Sequence, residues 1–73
     1  MGRSIRTKEY ADFVGKLCDA RHDSGLSQVQ VAKKLKRPQS YISKAESGEQ
    51  RLDVIELKAF ARIYKKDIGF FIQ

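Results

Sequence analysis

Apolar residues recur along the first third of the chain at the spacing of an α-helix. The apolar residues lie at positions i, i+3, i+4, i+7 and i+8, and they are Tyr10, Phe13, Val14, Leu17 and Cys18. This spacing predicts an amphipathic helix over about residues 8–22 that buries one stripe, and the Ser-Gly pair at 24–25 predicts its end. Cys18 continues the stripe, so we interpret it as a small buried residue and not as a redox sensor.

Two shorter helices are predicted between residues 26 and 48, separated by a break too short for an ordinary loop. Ser27 and Gln30 have the spacing of a reciprocal capping pair at a helix start. Pro38 disfavours helix in the residue before it and suits the first turn of a new helix, which we therefore expect to begin there. Gly48 predicts a left-handed stop. The pattern is that of a helix-turn-helix.

The second of these helices has two chemically different faces. Ile42 and Ala45 lie on one face. The opposite face is polar and consists of Gln39, Ser40, Ser43, Lys44 and Ser47. Gln39 could bind adenine through both atoms of its amide, Lys44 could donate to guanine, and the hydroxyls of Ser40 and Ser43 are short enough to adapt to either base. We predict that these four residues contact bases.

A fourth and a fifth helix are predicted after Gly48. Asp53 and Glu56 repeat the capping spacing, and the residues that follow give a wide apolar face expected to close over the helix-turn-helix. That face consists of Ile55, Leu57, Phe60, Ala61, Ile63 and Tyr64. A short last helix follows residue 66. It contains three large apolar residues in a row, Phe70, Phe71 and Ile72, which cannot all face one small core.

Charge adds a second indication of nucleic-acid binding. The chain of 73 residues has room for one domain and carries a net charge of +6. Six basic and two acidic residues lie between positions 27 and 51, so the excess charge concentrates on the helix-turn-helix, as contact with DNA requires. A solvated surface is the alternative. Phosphate contacts are predicted for the N-terminus of the Ser27 helix, for the Gln28 amide, and for Arg37, Ser47 and Arg51.

Several classes of function are disfavoured by the composition. One cysteine and one histidine allow no disulfide framework and no zinc site built from thiols, and they suit a reducing cytoplasm. No apolar run reaches membrane-spanning length. No glycine-rich phosphate loop or catalytic cluster is present. We therefore expect a protein that is not an enzyme, with no metal, cofactor or evident small-molecule ligand.

Residues 26–48 closely resemble the Cro/cI-type helix-turn-helix of phage repressors and of the bacterial XRE group. The run Leu-Ser-Gln-x-x-x-Ala-Lys-Lys-Leu, a short turn and Gln-Ser-Tyr-Ile-Ser-Lys-x-Glu-Ser-Gly carries this resemblance, which extends over about residues 8–72. It implies an all-α, compact five-helix lambda-repressor-like domain at 8–73, preceded by an arm at 1–7 that is either frayed or tracks DNA. Lys36 stands where the family usually has a glycine, and a lysine held at positive φ would cost about 1–2 kcal/mol.

The resemblance also implies roles for individual residues. The positions of Gln39, Ser40 and Lys44 contact bases in the family. Tyr41 lies where a side chain touches a thymine methyl or the DNA backbone, although packing against the turn is equally open. An arginine at the place of Arg21 pairs with the glutamate that here is Glu46, either as a buried tether or as an exposed ion pair.

The function implied is a sequence-specific transcriptional regulator of double-stranded DNA in a bacterial or phage cytoplasm. In the family the C-terminal region commonly meets its symmetry mate, so Phe70, Phe71 or Ile72 are expected to form a homodimer contact, with local core packing as the alternative. A twofold dimer would place two recognition helices about 34 Å apart on a roughly palindromic operator. The rival interpretation is an interaction module, such as an antitoxin or adaptor. Its partner groove should carry apolar anchors, whereas the face at 39–47 is polar.

Overall fold

The structure, a computed structural model, describes residues 7–72. Of the predicted arm at residues 1–7, only Thr7 lies within the described residues, and it is the N-cap of the first helix. The described chain contains five helices and no strand, which confirms the predicted all-α architecture. The helices are α1 (Lys8–Asp23), α2 (Gln28–Leu35), α3 (Gln39–Ser47), α4 (Val54–Tyr64) and α5 (Ile68–Ile72).

Both predicted capping boxes are present. The Ser27 hydroxyl accepts from the Gln30 backbone N–H at 3.1 Å, and the Gln30 side chain accepts from the Ser27 N–H at 2.8 Å. Asp53 and Glu56 do the same at the start of α4, at 2.8 and 2.9 Å. These local bonds satisfy backbone donors that a helix start leaves unpaired, so they determine where α2 and α4 begin.

The turn between α2 and α3 has the left-handed residue expected of a helix end. Lys36 has φ 59° and ψ 45°, at the position where the sequence resemblance led us to expect a glycine. Pro38 is the N-cap of α3 with extended backbone, and the first helical residue is Gln39, one position later than predicted. Gly48 ends α3 at φ 84°, as expected.

All five helices contribute to one hydrophobic core. Its largest fully buried side chains are Phe60, Phe71, Leu17, Ile42 and Val31. From the predicted α1 stripe, Leu17 is fully buried and the other four members are half-buried, Cys18 among them. Burial raises the pKa of the Cys18 thiol, which agrees with a packing role.

One apolar assignment was wrong, and Phe71 follows the alternative of local core packing. Ile55 is 67% exposed and does not belong to the face of α4 that covers the helix-turn-helix. The reason is rotational: Leu57 faces the core, and a residue two positions earlier lies about 200° around the helix. In α5, Phe71 is 1% exposed and packs in the core, so it is not available for a dimer contact, whereas Ile72 is 66% exposed. Phe70 is half-buried, with its ring 5.1 Å from that of Phe71.

Candidate nucleic-acid interface

The exposed side of α3 is polar along its whole length. The predicted base-contacting residues Gln39, Ser40, Ser43 and Lys44 are all exposed, while Ile42 and Ala45 are fully buried beneath them. A nine-residue helix is too short to be stable alone, so the buried side fixes α3 to the domain and the polar side is presented outward. We call this outward side the polar face of α3.

One edge of the polar face is bonded to the N-terminus of α2. Gln39 donates from Nε2 to Gln28 Oε1 at 3.2 Å, and Gln28 in turn donates from Nε2 to Glu46 Oε1 at 3.0 Å. Gln28 and Gln39 are the first residues of α2 and α3, so the bond joins two helix N-termini. Sequence reasoning missed it because the two residues lie eleven positions apart, and no local pattern pairs them.

Arg21 and Glu46 form the predicted ion pair, and both side chains are largely buried. Arg21 Nε lies 2.7 Å from Glu46 Oε2, and Arg21 Nη2 donates to Oε1 at 3.1 Å. The side chains are only 13% and 5% exposed, and Arg21 Nη1 also donates to the Leu26 carbonyl at 2.9 Å. The hydrogen bond to Glu46 raises the pKa of Arg21. The pair therefore ties α1 to α3 and to the start of the helix-turn-helix, as the tether alternative expected.

The opposite edge of the polar face meets α4 through Tyr41. Tyr41 is 8% exposed, and its ring stacks on Phe60, with ring centroids 6.1 Å apart and planes inclined by 22°. Burial raises the pKa of the Tyr41 hydroxyl, and the negative charge of Glu56 adds to the effect. The Arg37 guanidinium carbon lies 4.5 Å above the Tyr41 ring centroid. Tyr41 therefore follows the packing alternative, and little of its side chain remains for DNA.

The remaining residues predicted to contact phosphate have mixed placements. The Ser27 hydroxyl serves the capping box, and the Ser47 hydroxyl donates to the Lys44 carbonyl at 3.1 Å and accepts from the Glu49 N–H at 3.4 Å. Arg51 is exposed, but its guanidinium carbon lies 4.4 Å above the ring of Tyr10, on α1. The three residues thus lie at the start of α2, at the end of α3 and between α3 and α4. The Arg51 side chain is directed toward α1.

An open apolar groove of about 690 Å³ lies between α1, the start of α4, and α5. Val54 and Ile72, 63% and 66% exposed, line it, and no residue of α3 does. Within residues 7–72, no group of three or more His, Cys, Asp and Glu side chains could hold a metal ion. None of the helices described there is long and apolar enough to cross a bilayer.

Comparison with known proteins agrees with this geometry. A family model described as a helix-turn-helix domain matches residues 12–67. Among solved structures, the chain is similar to an XRE-family like protein from Pseudomonas syringae pv. tomato str. DC3000, with 39% sequence identity and a TM-score of 0.82. That match covers 92% of this chain and 82% of the other. No match was found among curated proteins.

Proposed function

Because the chain belongs to the XRE-type family of helix-turn-helix proteins, we propose that it is a sequence-specific, double-stranded DNA-binding transcriptional regulator. In this proposal α3 enters the major groove, which is wide enough to admit one α-helix. The observation that carries the proposal is the polar face of α3, which is exposed and free of apolar anchors, with its base-contacting candidates on one side of a helix fixed to the core.

Base contacts are assigned to Gln39, Ser40, Ser43 and Lys44. Gln39 donates one amide proton to Gln28, which leaves the Gln39 amide oxygen and second amide proton for an adenine edge. Lys44 carries a compact positive charge suited to the two acceptors of guanine. Its place one turn after Ser40 keeps both side chains over the same stretch of groove.

Phosphate contacts are assigned to the N-terminus of α2, with Ser27 and Gln28, and to Arg37. Backbone N–H groups and the positive end of the helix dipole favour an anion at that N-terminus. Ser47 and Arg51 are retained as outer contacts, for which the side chain of Arg51 would turn away from Tyr10. Tyr41 is left out of the contact set, since its burial leaves it little to offer a phosphate.

Specificity requires two copies, because one short helix spans only a few base pairs. A twofold dimer with recognition helices about 34 Å apart would bind a roughly palindromic operator. The exposed Val54 and Ile72, on the apolar groove, are the surface we assign to this dimer, together with the half-buried Phe70 of α5. Burial of these side chains against a second copy would remove them from water.

The test is selection of bound sequences from random DNA at two salt concentrations, for the wild type and two variants. We expect a palindromic consensus and a steep salt dependence. Lys44→Ala should relax the consensus at one position in each half-site and cost about 1–3 kcal/mol on the preferred site. The matched control, Lys34→Ala, removes the same charge from the exposed side of α2 and should leave the consensus unchanged.

Two outcomes would contradict the proposal. An unchanged consensus with Lys44→Ala would remove Lys44 from the base contacts. Weak binding by the wild type that shows no sequence preference would favour the rival function, an antitoxin or adaptor whose DNA contact is secondary. In that case the apolar groove would be the surface to examine for a protein partner.

A further inference from the structure

We infer that Tyr41 is a positioning residue that holds Arg37 ready to contact a backbone phosphate at the edge of the polar face. The inference rests on the proposed DNA-binding function and adds to it a residue that does not itself contact DNA. Three features support it: the placement of the Arg37 guanidinium on the Tyr41 ring, the rigidity of that ring, and the position of Arg37 relative to α3.

The Tyr41 ring is a rigid support. Tyr41 as a whole is 8% exposed, and its ring stacks on Phe60, which is fully buried in the core. A small cavity of about 100 Å³ lies under the contact between the α2–α3 turn and α4. It is lined by Leu35, Arg37, Tyr41, Glu56, Ala59 and Phe60. Because Tyr41 belongs to α3 and stacks on Phe60 of α4, both helices hold the ring, and the guanidinium above it rests on the core of the domain.

Stacking leaves the useful side of the guanidinium available. The Arg37 guanidinium lies over the ring, with its central carbon 4.5 Å from the ring centroid, and the five N–H donors of a guanidinium point outward in its plane. A phosphate can therefore accept bonds from the edge while the face remains on Tyr41. Because the side chain is already ordered, DNA binding loses less rotamer entropy than it would with a freely moving lysine.

Arg37 is placed to complement the contact at the other edge of α3. It directly precedes Pro38, the N-cap of α3, and Tyr41 packs toward α4. Gln39 lies two positions before Tyr41, about 200° around the helix, and is bonded to the N-terminus of α2. Arg37 and the N-terminus of α2, both assigned to phosphate, thus flank the polar face. A major groove about 12 Å wide has one sugar-phosphate strand on each side, so each group can meet a different strand.

The test measures the operator affinity of single and double variants over a range of salt concentrations. Arg37→Ala should weaken binding roughly three- to tenfold, as expected for the loss of one charge-assisted contact, and lower the salt slope by about 1. Tyr41→Leu should reproduce both effects although it removes no charge, and Tyr41→Phe should retain wild-type behaviour. In the double variant, Tyr41→Leu should add nothing to the loss caused by Arg37→Ala.

Arg37→Lys gives a second test that leaves the core unchanged. It keeps the charge but replaces the flat guanidinium, so we expect about half or more of the Arg37→Ala loss in log Kd. Lys34→Ala is the control for long-range charge and should lower affinity less than Arg37→Ala does. Circular dichroism and urea denaturation show whether the Tyr41→Leu variant is folded. If it is not folded, the affinity and salt slope of Arg37→Lys decide whether the positioning role stands.

The outcomes separate this inference from the proposed function. Additive losses in the double variant, or an Arg37→Lys variant with wild-type affinity and salt slope, would overturn the positioning role while DNA binding stands. A wild type that shows no preferred sequence would overturn the proposed function itself. A Tyr41→Leu variant that folds and binds like the wild type would also end the inference.

Discussion

Replacing Glu46 with glutamine should destabilise the fold and weaken DNA binding together. The Glu46 carboxylate accepts three hydrogen bonds, two from Arg21 at 2.7 and 3.1 Å and one from Gln28 at 3.0 Å. Glutamine is nearly the same size, so no cavity forms. Its amide group, however, turns one acceptor into a donor facing an arginine donor, and it removes the charge that compensates the buried guanidinium.

The size of the effect follows from these bonds and their burial. One hydrogen bond to a charged group is worth about 1.5–3 kcal/mol, and breaking a buried ion pair by removing one partner typically costs about 3–5 kcal/mol. Part of the network survives because the amide oxygen can still accept from two donors. We therefore expect a loss of about 2–4 kcal/mol in the free energy of unfolding. For a domain of this length the total is about 4–11 kcal/mol, so the loss is a large fraction.

Urea denaturation measures the stability change, and the exposed Glu49 provides the matched control. Glu49→Gln removes the same charge in the turn after α3 and should change stability by less than about 0.5 kcal/mol. A double variant, Arg21→Met with Glu46→Leu, should be more stable than Arg21→Met alone, because it leaves no buried charge uncompensated. If Glu46→Gln cost no more than Glu49→Gln, the pair would not be a structural tether.

Substitutions at four further positions test separate features of the protein. Tyr64→Phe should leave stability unchanged or raise it, since the buried Tyr64 hydroxyl has no hydrogen-bond partner among the described residues. Burial raises the pKa of Tyr64 above its usual range. The wild type should therefore lose stability as pH rises above about 10, because the unfolded tyrosine ionises there and the folded one does not. Urea titrations at pH 8 and 10.5 should show a smaller loss of stability for Tyr64→Phe. Lys36→Gly should raise the melting temperature through a gain of about 0.5–1 kcal/mol, whereas Lys36→Ala, which retains the left-handed strain, should not. Ile72→Ser should weaken self-association in sedimentation equilibrium with little change in stability to urea. Phe71→Ala, in contrast, should lower the free energy of unfolding by about 3–5 kcal/mol. Wild-type self-association of Ile72→Ser would remove Ile72 from the dimer surface.

The sequence was sufficient to predict the elements whose ends depend on neighbouring residues. The Ser27–Gln30 and Asp53–Glu56 boxes are bonds between residues three apart, and their spacing is visible in the sequence. Gly48 and the turn after Leu35 are likewise determined over a few positions. The polar face of α3 follows from helical periodicity alone, because a short helix with one buried side must expose the other.

Orientation within apolar runs was not predictable in this way. Phe71 and Ile72 are adjacent and similar in hydrophobicity, yet one is in the core and the other is exposed. Which of them faces inward depends on how α5 packs against α1 and α4, and that is a property of the whole fold. Ile55 was assigned to the core face for the same reason. The bond between Gln28 and Gln39 also requires the relative placement of two helices.

The polar contacts link the stability of the domain to the placement of its base-contacting side chains. Arg21 fixes Glu46, Glu46 orients Gln28, and Gln28 holds Gln39. A substitution of Arg21 or Glu46 should therefore change the placement of Gln39 on the polar face of α3, although no residue of that face is replaced. In the absence of urea and well below its melting temperature, the Glu46→Gln variant should remain folded. Its operator affinity should nevertheless fall, because Gln39 is less ordered. In the Gln39→Ala background the same substitution should cost much less affinity, since the side chain that it disorders is already absent. Equal losses in both backgrounds would show that Glu46 affects binding only through the overall stability of the fold.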